Sequence, residues 1–326
     1  MNRAIVIGKF YPPHKGHHYL INYALKHADA VTVLVCDSPA YGIPAETRRR
    51  WLQTIHPTAN VLIIPDLDDD DNSEAWAQHT IQFLGYAPDT VFSSEKYGIT
   101  YAKYMHTKHV MVDHKRSHVP ISATRIRNNM LEEWDYLDDV VKADVALRIV
   151  VVGAESTGTT TLSKALAEKF HTPWVPEYGR LYSEAFEFTP HEWTNAEFTH
   201  IAQTQQQFEK QAAITSQGVV VCDTNAFATT IWQDRYMGAI TKDVAVIAKN
   251  DKATLYILTG DEIPFVQDGL RDGEHIRHHM HQRFIKELRL LNVPYILVTG
   301  SKEIRLETAF KAVAEQIQLA AVTQNQ

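Results

Sequence analysis

Residues 4–17 read Ala4-Ile5-Val6-Ile7-Gly8-Lys9-Phe10-Tyr11-Pro12-Pro13-His14-Lys15-Gly16-His17, and an amphipathic helical pattern starts near His18. The apolar run is typical of a buried strand, and it opens into a glycine-containing turn before the helix. Nucleotide-binding α/β units begin in this way, because backbone N–H groups at the helix start hold phosphate. Residues 149–161 repeat the order of strand, glycine turn and helix, so the chain predicts two such units.

Short apolar runs alternate with helical patterns along the whole chain. The predicted strands are residues 4–7, 31–36, 61–64, 90–92, 110–112, 148–152, 218–222, 254–258 and 294–298. This rhythm predicts an α/β fold with two parallel-sheet domains. The motifs described below imply that the N-terminal domain is Rossmann-like and the C-terminal domain is of the P-loop type. The second nucleotide-binding strand begins near residue 148, so we expect the domains to cover residues 1–146 and 147–326.

Composition narrows the class of protein. The 326 residues are 44% hydrophobic, which is enough for two domains with their own cores. No run approaches the ~20 apolar residues that cross a bilayer, and the start lacks a signal-peptide pattern, so we expect a cytoplasmic protein without a membrane partner. Cys36 and Cys222 each end an apolar run and are expected to be reduced core thiols. The net charge of -7 disfavours nucleic acid and favours small anionic molecules as partners.

Two polar motifs in the N-terminal half point to phosphate chemistry. His14 and His17, three residues apart with Gly16 between them, can converge at a helix N-terminus, where N–H groups and the helix dipole favour phosphate. The second motif, residues 121–127, lies at a predicted helix start. There hydroxyl side chains can cap the helix and the Arg127 guanidinium can reach a polyphosphate. A pair of histidines in a loop is usually exposed and without a function. The presence of the second motif is what favours a phosphate-binding site here.

These motifs resemble the paired signatures of the nucleotidylyltransferase superfamily, the (H/T)xGH turn and the ISxTxxR segment. Residues 43–52, 92–98 and 112–116 are further similar to the adenylyltransferase half of the bifunctional NadR family. The resemblance implies that His14, His17 and Arg127 are catalytic. It implies ATP binding by Gly8, Lys9, Phe10, His14, Lys15, His17, Ser122, Thr124 and Arg127. The phosphate of the substrate would be the nucleophile, so catalysis would need alignment and charge stabilisation rather than a covalent intermediate.

Residues 153–161, Gly153-Ala154-Glu155-Ser156-Thr157-Gly158-Thr159-Thr160-Thr161, fit the P-loop frame except at one position. Thr159 stands where the frame has lysine, which removes a charge-assisted contact of ~1.5–3 kcal/mol to the β- and γ-phosphates. Lys164 is about one helical turn too far along to replace it. The residues expected to bind the second ATP are Gly153, Glu155, Ser156, Thr157, Gly158, Thr159, Thr160, Thr161, Arg271 and Arg277.

The surroundings of this loop still favour a kinase. Residues 218–222 form an apolar strand followed by Asp223, which has the form of a Walker-B magnesium ligand, and Thr160 would supply a hydroxyl to the same ion. Residues 175–180 and 268–277 are similar to the substrate segment and the arginine-bearing lid of the ribosylnicotinamide kinase half of the NadR family. The expected substrate-binding residues are Glu177, Tyr178, Arg180 and Asp223 in this half, with Trp51 and Trp76 in the other.

The resemblance implies a bifunctional enzyme of NAD biosynthesis and salvage. One half would adenylylate nicotinamide mononucleotide to give NAD and pyrophosphate, and the other would phosphorylate nicotinamide riboside, with ATP as co-substrate and Mg2+ as cofactor. One alternative is that the P-loop half only binds or senses ATP, because Thr159 replaces the lysine. A transcriptional repressor is disfavoured because the catalytic motif begins at Gly8. Amide or acid specificity, a homo-oligomer and transfer of intermediate between the halves are left open.

Three other features favour structural interpretations. The aspartates between residues 66 and 71, followed by Trp76, either border the substrate site or form a solvated loop, and the loop is favoured. Trp51 is favoured as core rather than as a ligand platform. Four histidines between residues 275 and 281 have spacings that zinc can use, but they lack a cysteine partner or an HExxH arrangement, so no structural metal is assigned.

Overall fold

The computed structural model describes residues 1–186, 191–266 and 273–323. The chain divides into two compact units, a first unit of Met1–Val141 and a second unit that begins at Lys142. Each unit contains one five-stranded sheet in which all neighbouring strands are parallel. The predicted α/β class with two parallel-sheet domains is confirmed. In the described part of the chain, no helix is long and apolar enough to cross a membrane.

The sheet of the first unit has the strand order β3-β2-β1-β4-β5. Its strands are β1 (Arg3–Gly8), β2 (Ala30–Asp37), β3 (Asn60–Pro65), β4 (Thr90–Ser93) and β5 (Lys108–Met111). The helices are α1 (Lys15–His27), α2 (Ala45–Ile55), α3 (Ser73–Leu84), α4 (Tyr97–Tyr104) and α5 (Ala123–Asn128), and α6 (Asp139–Val145) follows where the units divide. Alternate residues of β1 enter two different apolar clusters, so both faces of the sheet are covered.

The sheet of the second unit has the order β10-β9-β6-β8-β7. Its strands are β6 (Leu147–Val152), β7 (Trp174–Val175), β8 (Val219–Asp223), β9 (Ala253–Thr259) and β10 (Tyr295–Val298). The helices are α7 (Thr159–Phe170), α8 (Tyr178–Glu184), α9 (Asn195–Thr215), α10 (Ala226–Met237), α11 (Lys242–Lys249), α12 (Arg277–Leu290) and α13 (Lys302–Thr323). The predicted strands all occur, and β7, which is only two residues long, is an addition that the sequence pattern does not predict.

The strand order places a crevice beside each nucleotide-binding turn. β1 and β6 are central strands, each followed by such a turn, and the order of connection reverses beside each of them. In open α/β sheets, ligands bind beyond the carboxyl ends of the strands at this reversal. Because β8 pairs directly with β6, the carboxylate of Asp223 comes beside the start of the loop that follows Val152.

Helix α1 starts three residues earlier than the sequence pattern predicts. It begins at Lys15 because His14 is its N-cap: the Nδ1 atom of His14 accepts hydrogen bonds from the backbone N–H groups of Gly16 at 3.1 Å and His17 at 3.4 Å. A Cβ atom on Gly16 would lie 3.0 Å from the His14 ring, so a larger residue there would push against the cap. The cap fixes the ring of His14 at the positive end of the helix.

Candidate active sites

The two histidines of the first turn present buried ring nitrogens that hold no partner. His14 and His17 stack with their ring centroids 3.7 Å apart. The Nδ1 atom of His14 accepts two backbone hydrogen bonds, so its proton lies on Nε2 when the ring is neutral. His14 Nε2 and His17 Nδ1 are buried and have no hydrogen-bond partner among the described residues. Buried polar atoms without partners are rare, and here they suit the oxygens of a phosphate.

Burial keeps this cluster of histidines neutral. Desolvation, assisted by the charge of Arg116, lowers the pKa of His14 from 6.5 to about 3. Desolvation and the neighbouring His14 lower the pKa of His17 well below its usual value. Desolvation and His56 likewise lower the pKa of His18 to about 3. Near pH 7, His14 and His17 therefore act as neutral hydrogen-bond donors in the free protein, and not as cations.

The second motif closes the same site from helix α5. Ser122 caps α5, since its hydroxyl accepts a hydrogen bond from the Arg125 N–H at 3.2 Å. Arg127 donates to the Tyr11 carbonyl at 2.9 Å and to the Thr124 hydroxyl at 3.3 Å, so it ties α5 to the first turn. A cavity of about 250 Å3 lies between the motifs, and it is lined among others by Gly8, Lys9, Phe10, His14, His17, Arg116, Ser122 and Thr124. Lys15 is exposed and does not line this cavity.

A second cavity of the first unit adjoins the first and is mostly apolar. Its volume is about 260 Å3, and it shares Gly8, Lys9 and Tyr97 with the phosphate-lined cavity. Trp76 forms part of its wall, and the indole N–H donates to the Asp69 carbonyl at 3.0 Å. The cavity has the size and aromatic lining of a site for a flat heterocycle.

The two tryptophans predicted as substrate-binding residues lie in different places. Trp76 lines the apolar cavity, whereas Trp51 is only 1% exposed in the interior and offers no surface to a ligand. Trp51 is therefore left out of the proposed site, which agrees with the core interpretation of its pattern. Of the acidic run, Asp70 lines the apolar cavity.

The loop after β6 has the backbone of a phosphate cradle. Ser156 and Gly158 have positive φ angles of 59° and 86°, and glycine adopts such an angle at no steric cost. The side chains of the loop bind protein: the Thr157 hydroxyl donates to the Ala154 carbonyl at 2.7 Å, and Glu155 accepts from Arg235 at 2.6 Å. The backbone N–H groups of the loop are therefore the natural ligands for phosphate.

Thr160, in the first turn of α7, contacts Asp223 at the end of β8. The Thr160 hydroxyl donates to Asp223 Oδ2 at 2.5 Å, and Asp223 Oδ1 is buried with no partner in the ranges that the structure describes. Burial raises the pKa of Asp223, and the hydroxyls of Thr160 and Thr159 oppose this effect. A hydroxyl beside a carboxylate with an unused oxygen is the ligand set that Mg2+ prefers beside nucleotide phosphates.

An aromatic cavity of about 220 Å3 opens beside this pair. Glu177 and Arg180, which the sequence predicts to bind substrate, line it, whereas the Tyr178 hydroxyl contacts His200 Nε2 at 3.1 Å and does not line the cavity. The sequence motifs do not predict five further residues of its lining, which are Trp193, Phe198, Gln205, Trp232 and Tyr236. These residues precede α9 or lie on α9 and α10, outside any recognised motif. The aromatic character of four of them is the only signal in the sequence, and Gln205 gives none.

Two of these missed side chains are ready to bind a polar ligand. Gln205 Nε2 and Trp232 Nε1 are buried donors without a partner among the described residues. The other end of the Gln205 amide is fixed, because its Oε1 accepts from the Tyr178 N–H at 2.8 Å. The cavity therefore offers aromatic surface together with hydrogen-bond donors held in place.

Basic side chains from outside the P-loop frame contact the loop or line the same cavity as Thr159. Arg277 is 9% exposed and donates to the Ser156 carbonyl at 3.2 Å, so it contacts the P-loop from α12. Lys164 places its Nζ 4.5 Å from the centre of the Trp174 ring. Arg180 lines the same cavity as Thr159. Arg271 lies outside the described residues.

Each half of the chain matches a known protein family. Residues 5–129 match the Cytidylyltransferase-like family and residues 148–305 match the AAA domain family. The trifunctional NAD biosynthesis/regulator protein NadR of Escherichia coli is 28% identical over 316 residues, which cover 87% of this chain and 75% of that protein. The Salmonella typhimurium protein of the same name is 27% identical and covers 91% and 78%. The chain is NadR-like.

Solved structures agree with this NadR-like architecture. A crystal structure of NadR in complex with NAD and AMP-PNP superposes with a TM-score of 0.73, at 22% identity, over 97% of this chain and 96% of that one. A NadR structure in complex with NR gives 0.70, at 23% identity, over 97% and 95%. These likenesses show the fold. The predicted resemblance, the α/β fold class and the joining of a nucleotidyltransferase half to a P-loop kinase half are confirmed.

Proposed function

We propose that this chain is a bifunctional enzyme of NAD biosynthesis, in which the first unit adenylylates nicotinamide mononucleotide and the second phosphorylates nicotinamide riboside. The observation that carries the proposal is that each of the two phosphate-binding turns opens beside its own aromatic cavity. Each unit therefore offers a place for a triphosphate next to a place for a pyridine ring. The relatives named for NAD biosynthesis, and those crystallised with NAD, AMP-PNP and NR, support these substrates.

In the first unit, the phosphate of the mononucleotide attacks the α-phosphorus of ATP, and pyrophosphate leaves. The buried N–H donors of His14 and His17 hold the triphosphate and stabilise the charge that develops on the α-phosphate. The N-terminus of α1 adds its dipole, and Arg127 braces α5 against the turn. The pyridine ring occupies the apolar cavity beside Trp76. The nucleophile is already an anion, so no general base is needed.

In the second unit, the P-loop N–H groups hold the phosphates of ATP, and the riboside occupies the aromatic cavity. Gln205 and Trp232 bind its polar groups, while Glu177 and Arg180 line the approach. The primary hydroxyl of the ribose then attacks the γ-phosphorus of ATP, the bond from the γ-phosphorus to the β–γ bridging oxygen breaks, and ADP leaves while the hydroxyl proton is lost to solvent. The product, nicotinamide mononucleotide, is the substrate of the first unit, so the two activities form consecutive steps.

Mg2+ fits the second unit, because Asp223 has a buried oxygen without a partner among the described residues and Thr160 places a hydroxyl beside it. The two side chains would hold the ion, which when bound would offset the negative charge of the phosphates. A cytoplasmic location and the lack of nucleic-acid and membrane partners stay predictions of the sequence.

The test is chromatography of the products formed by the purified protein with Mg-ATP, with nicotinamide mononucleotide in one reaction and nicotinamide riboside in another. NAD from both supports the bifunctional enzyme and shows that Thr159 is compatible with phosphoryl transfer. NAD from the mononucleotide alone favours the alternative in which the P-loop half only binds or senses ATP. NAD from neither contradicts the proposal.

A further inference from the structure

We propose that Asp70 makes the first unit select the carboxamide form of the pyridine mononucleotide over the carboxylate form. This inference rests on the proposed adenylyl transfer and adds a specificity-determining residue to it. The two substrates differ only at one ring substituent, which is neutral in the amide and negatively charged in the acid. Selection between them therefore depends on the charges that border the apolar cavity.

The loop that carries Asp70 is fixed in place before any ligand binds. The Tyr41 hydroxyl donates to Asp66 at 2.7 Å, and the Ser38 hydroxyl donates to Asp68 at 3.0 Å. The Trp76 indole N–H donates to the Asp69 carbonyl at 3.0 Å, so the loop is also tied to the wall of the cavity. These bonds hold the loop against the wall of the cavity, and the Asp70 carboxylate lines the rim with 65% of its side chain exposed.

Charge is scarce in the lining of this cavity. Lys9 and Asp70 are its only acidic or basic side chains among the described residues, and they form an ion pair with Lys9 Nζ 2.7 Å from Asp70 Oδ2. Burial raises the pKa of Cys36 to about 12, and it also raises the pKa of Tyr97, so both stay neutral. The single cation that lines the cavity is thus already neutralised by the single anion.

This arrangement treats the two substrates differently. A neutral carboxamide enters without meeting a like charge, and the positively charged pyridinium ring is attracted by Asp70. A carboxylate on the ring meets the Asp70 carboxylate, while the ammonium of Lys9 is held by that same residue. The repulsion falls on the acid alone, which is how a charged neighbour produces specificity.

The experiment measures kcat/KM of the full chain for nicotinamide mononucleotide and for nicotinate mononucleotide, with Mg-ATP saturating, and compares their ratio. Asp70→Asn keeps the size of the side chain and removes its charge. Since one repulsive pair at intermediate dielectric is worth about a factor of ten, we expect the amide-to-acid ratio to fall about tenfold. Adding Lys9→Met to Asp70→Asn should cancel the gain with the acid, because the released ammonium is what would receive the carboxylate.

Glu74→Gln is the matched control, because it removes one charge from a nearby exposed residue that does not line the cavity. Its ratio should equal that of the unchanged protein. An Asp70→Asn ratio equal to the control, or an unchanged protein that uses both substrates equally, would overturn the role of Asp70. An unchanged protein that forms a dinucleotide from neither substrate would instead contradict the proposed adenylyl transfer.

Discussion

Acidification from pH 7 to pH 5 should destabilise the first unit through its buried histidines. A histidine whose pKa is lower in the folded than in the unfolded chain binds its proton more readily when unfolded. Its stabilising effect is therefore complete above the unfolded pKa of 6.5 and is lost as the pH falls toward the folded pKa. For His14 and His18 the folded pKa is about 3, so the sensitive range lies between about pH 6.5 and pH 3.

The magnitude follows from the two pKa values. At pH 5 the unfolded histidine is protonated and the folded one is not, and 1.5 units at about 1.4 kcal/mol per unit give about 2 kcal/mol for each histidine. His14 and His18 are 4% and 8% exposed, so solvent screens them little. Together they should lower the free energy of unfolding of the first unit by about 4 kcal/mol, with a further loss from His17.

The assay is urea unfolding at both pH values, followed by labelling with dithiodipyridine, which reacts with exposed thiols at each pH. Cys36 is buried in the first unit and reports its unfolding, and Cys222 is buried in the second. His18→Leu should reduce the pH dependence at Cys36 by about 2 kcal/mol, since it removes one of the titrating histidines. His27→Gln changes an exposed histidine of the same helix and is the control. A Cys36 midpoint that is the same at pH 5 and pH 7 would refute the reasoning.

Three further predictions concern activity. His17→Ala should lower adenylyl transfer at least about a hundredfold, because it removes a donor to the developing charge. Phosphorylation of the riboside should stay unchanged, and product chromatography measures both activities. A mild effect on NAD formation would show that His17 has only a structural role. kcat/KM for ATP in adenylyl transfer should stay constant from pH 7 to pH 9, since His14 and His17 are already neutral in the free protein. A decrease of kcat/KM with a midpoint in that range would show that a protonated histidine is required. Arg277→Ala should lower riboside phosphorylation about tenfold or more if this arginine compensates for Thr159, and an unchanged rate would exclude that role.

Parts of the molecule with strong local signals could be predicted from the sequence. The apolar runs before Gly8 and Gly153 were long enough to identify both central strands, and the P-loop spacing placed the cradle. Strand β7 gave no such signal, because two residues show no period. The start of α1 was predicted near His18, because the sequence does not reveal that the His14 ring caps the helix in place of the usual small polar residue.

The cavities were less predictable than the motifs beside them. Trp51 and Trp76 both follow helical patterns, and only packing decides that one is enclosed while the other borders a cavity. Trp193, Trp232 and Tyr236 come together from separate segments around one cavity, and their spacing in the sequence does not predict this cavity. Motifs are visible because a phosphate-binding turn is built from consecutive residues, whereas a ring-binding cavity is assembled from distant ones.

The missing P-loop lysine illustrates the same difference between motifs built from consecutive residues and sites assembled from distant ones. A lysine within the frame carries its charge to the phosphates from the loop itself, so its loss at Thr159 is obvious in the sequence. A replacement charge can come from any element that packs near the loop, and Arg277 contacts the loop from a helix that begins more than a hundred residues later. Its contact with the Ser156 carbonyl places a buried guanidinium at the loop that lacks the lysine, and Arg305 donates to the Thr157 carbonyl of the same loop at 2.7 Å. The departure from the frame therefore predicts a changed source of positive charge more directly than it predicts a lost reaction.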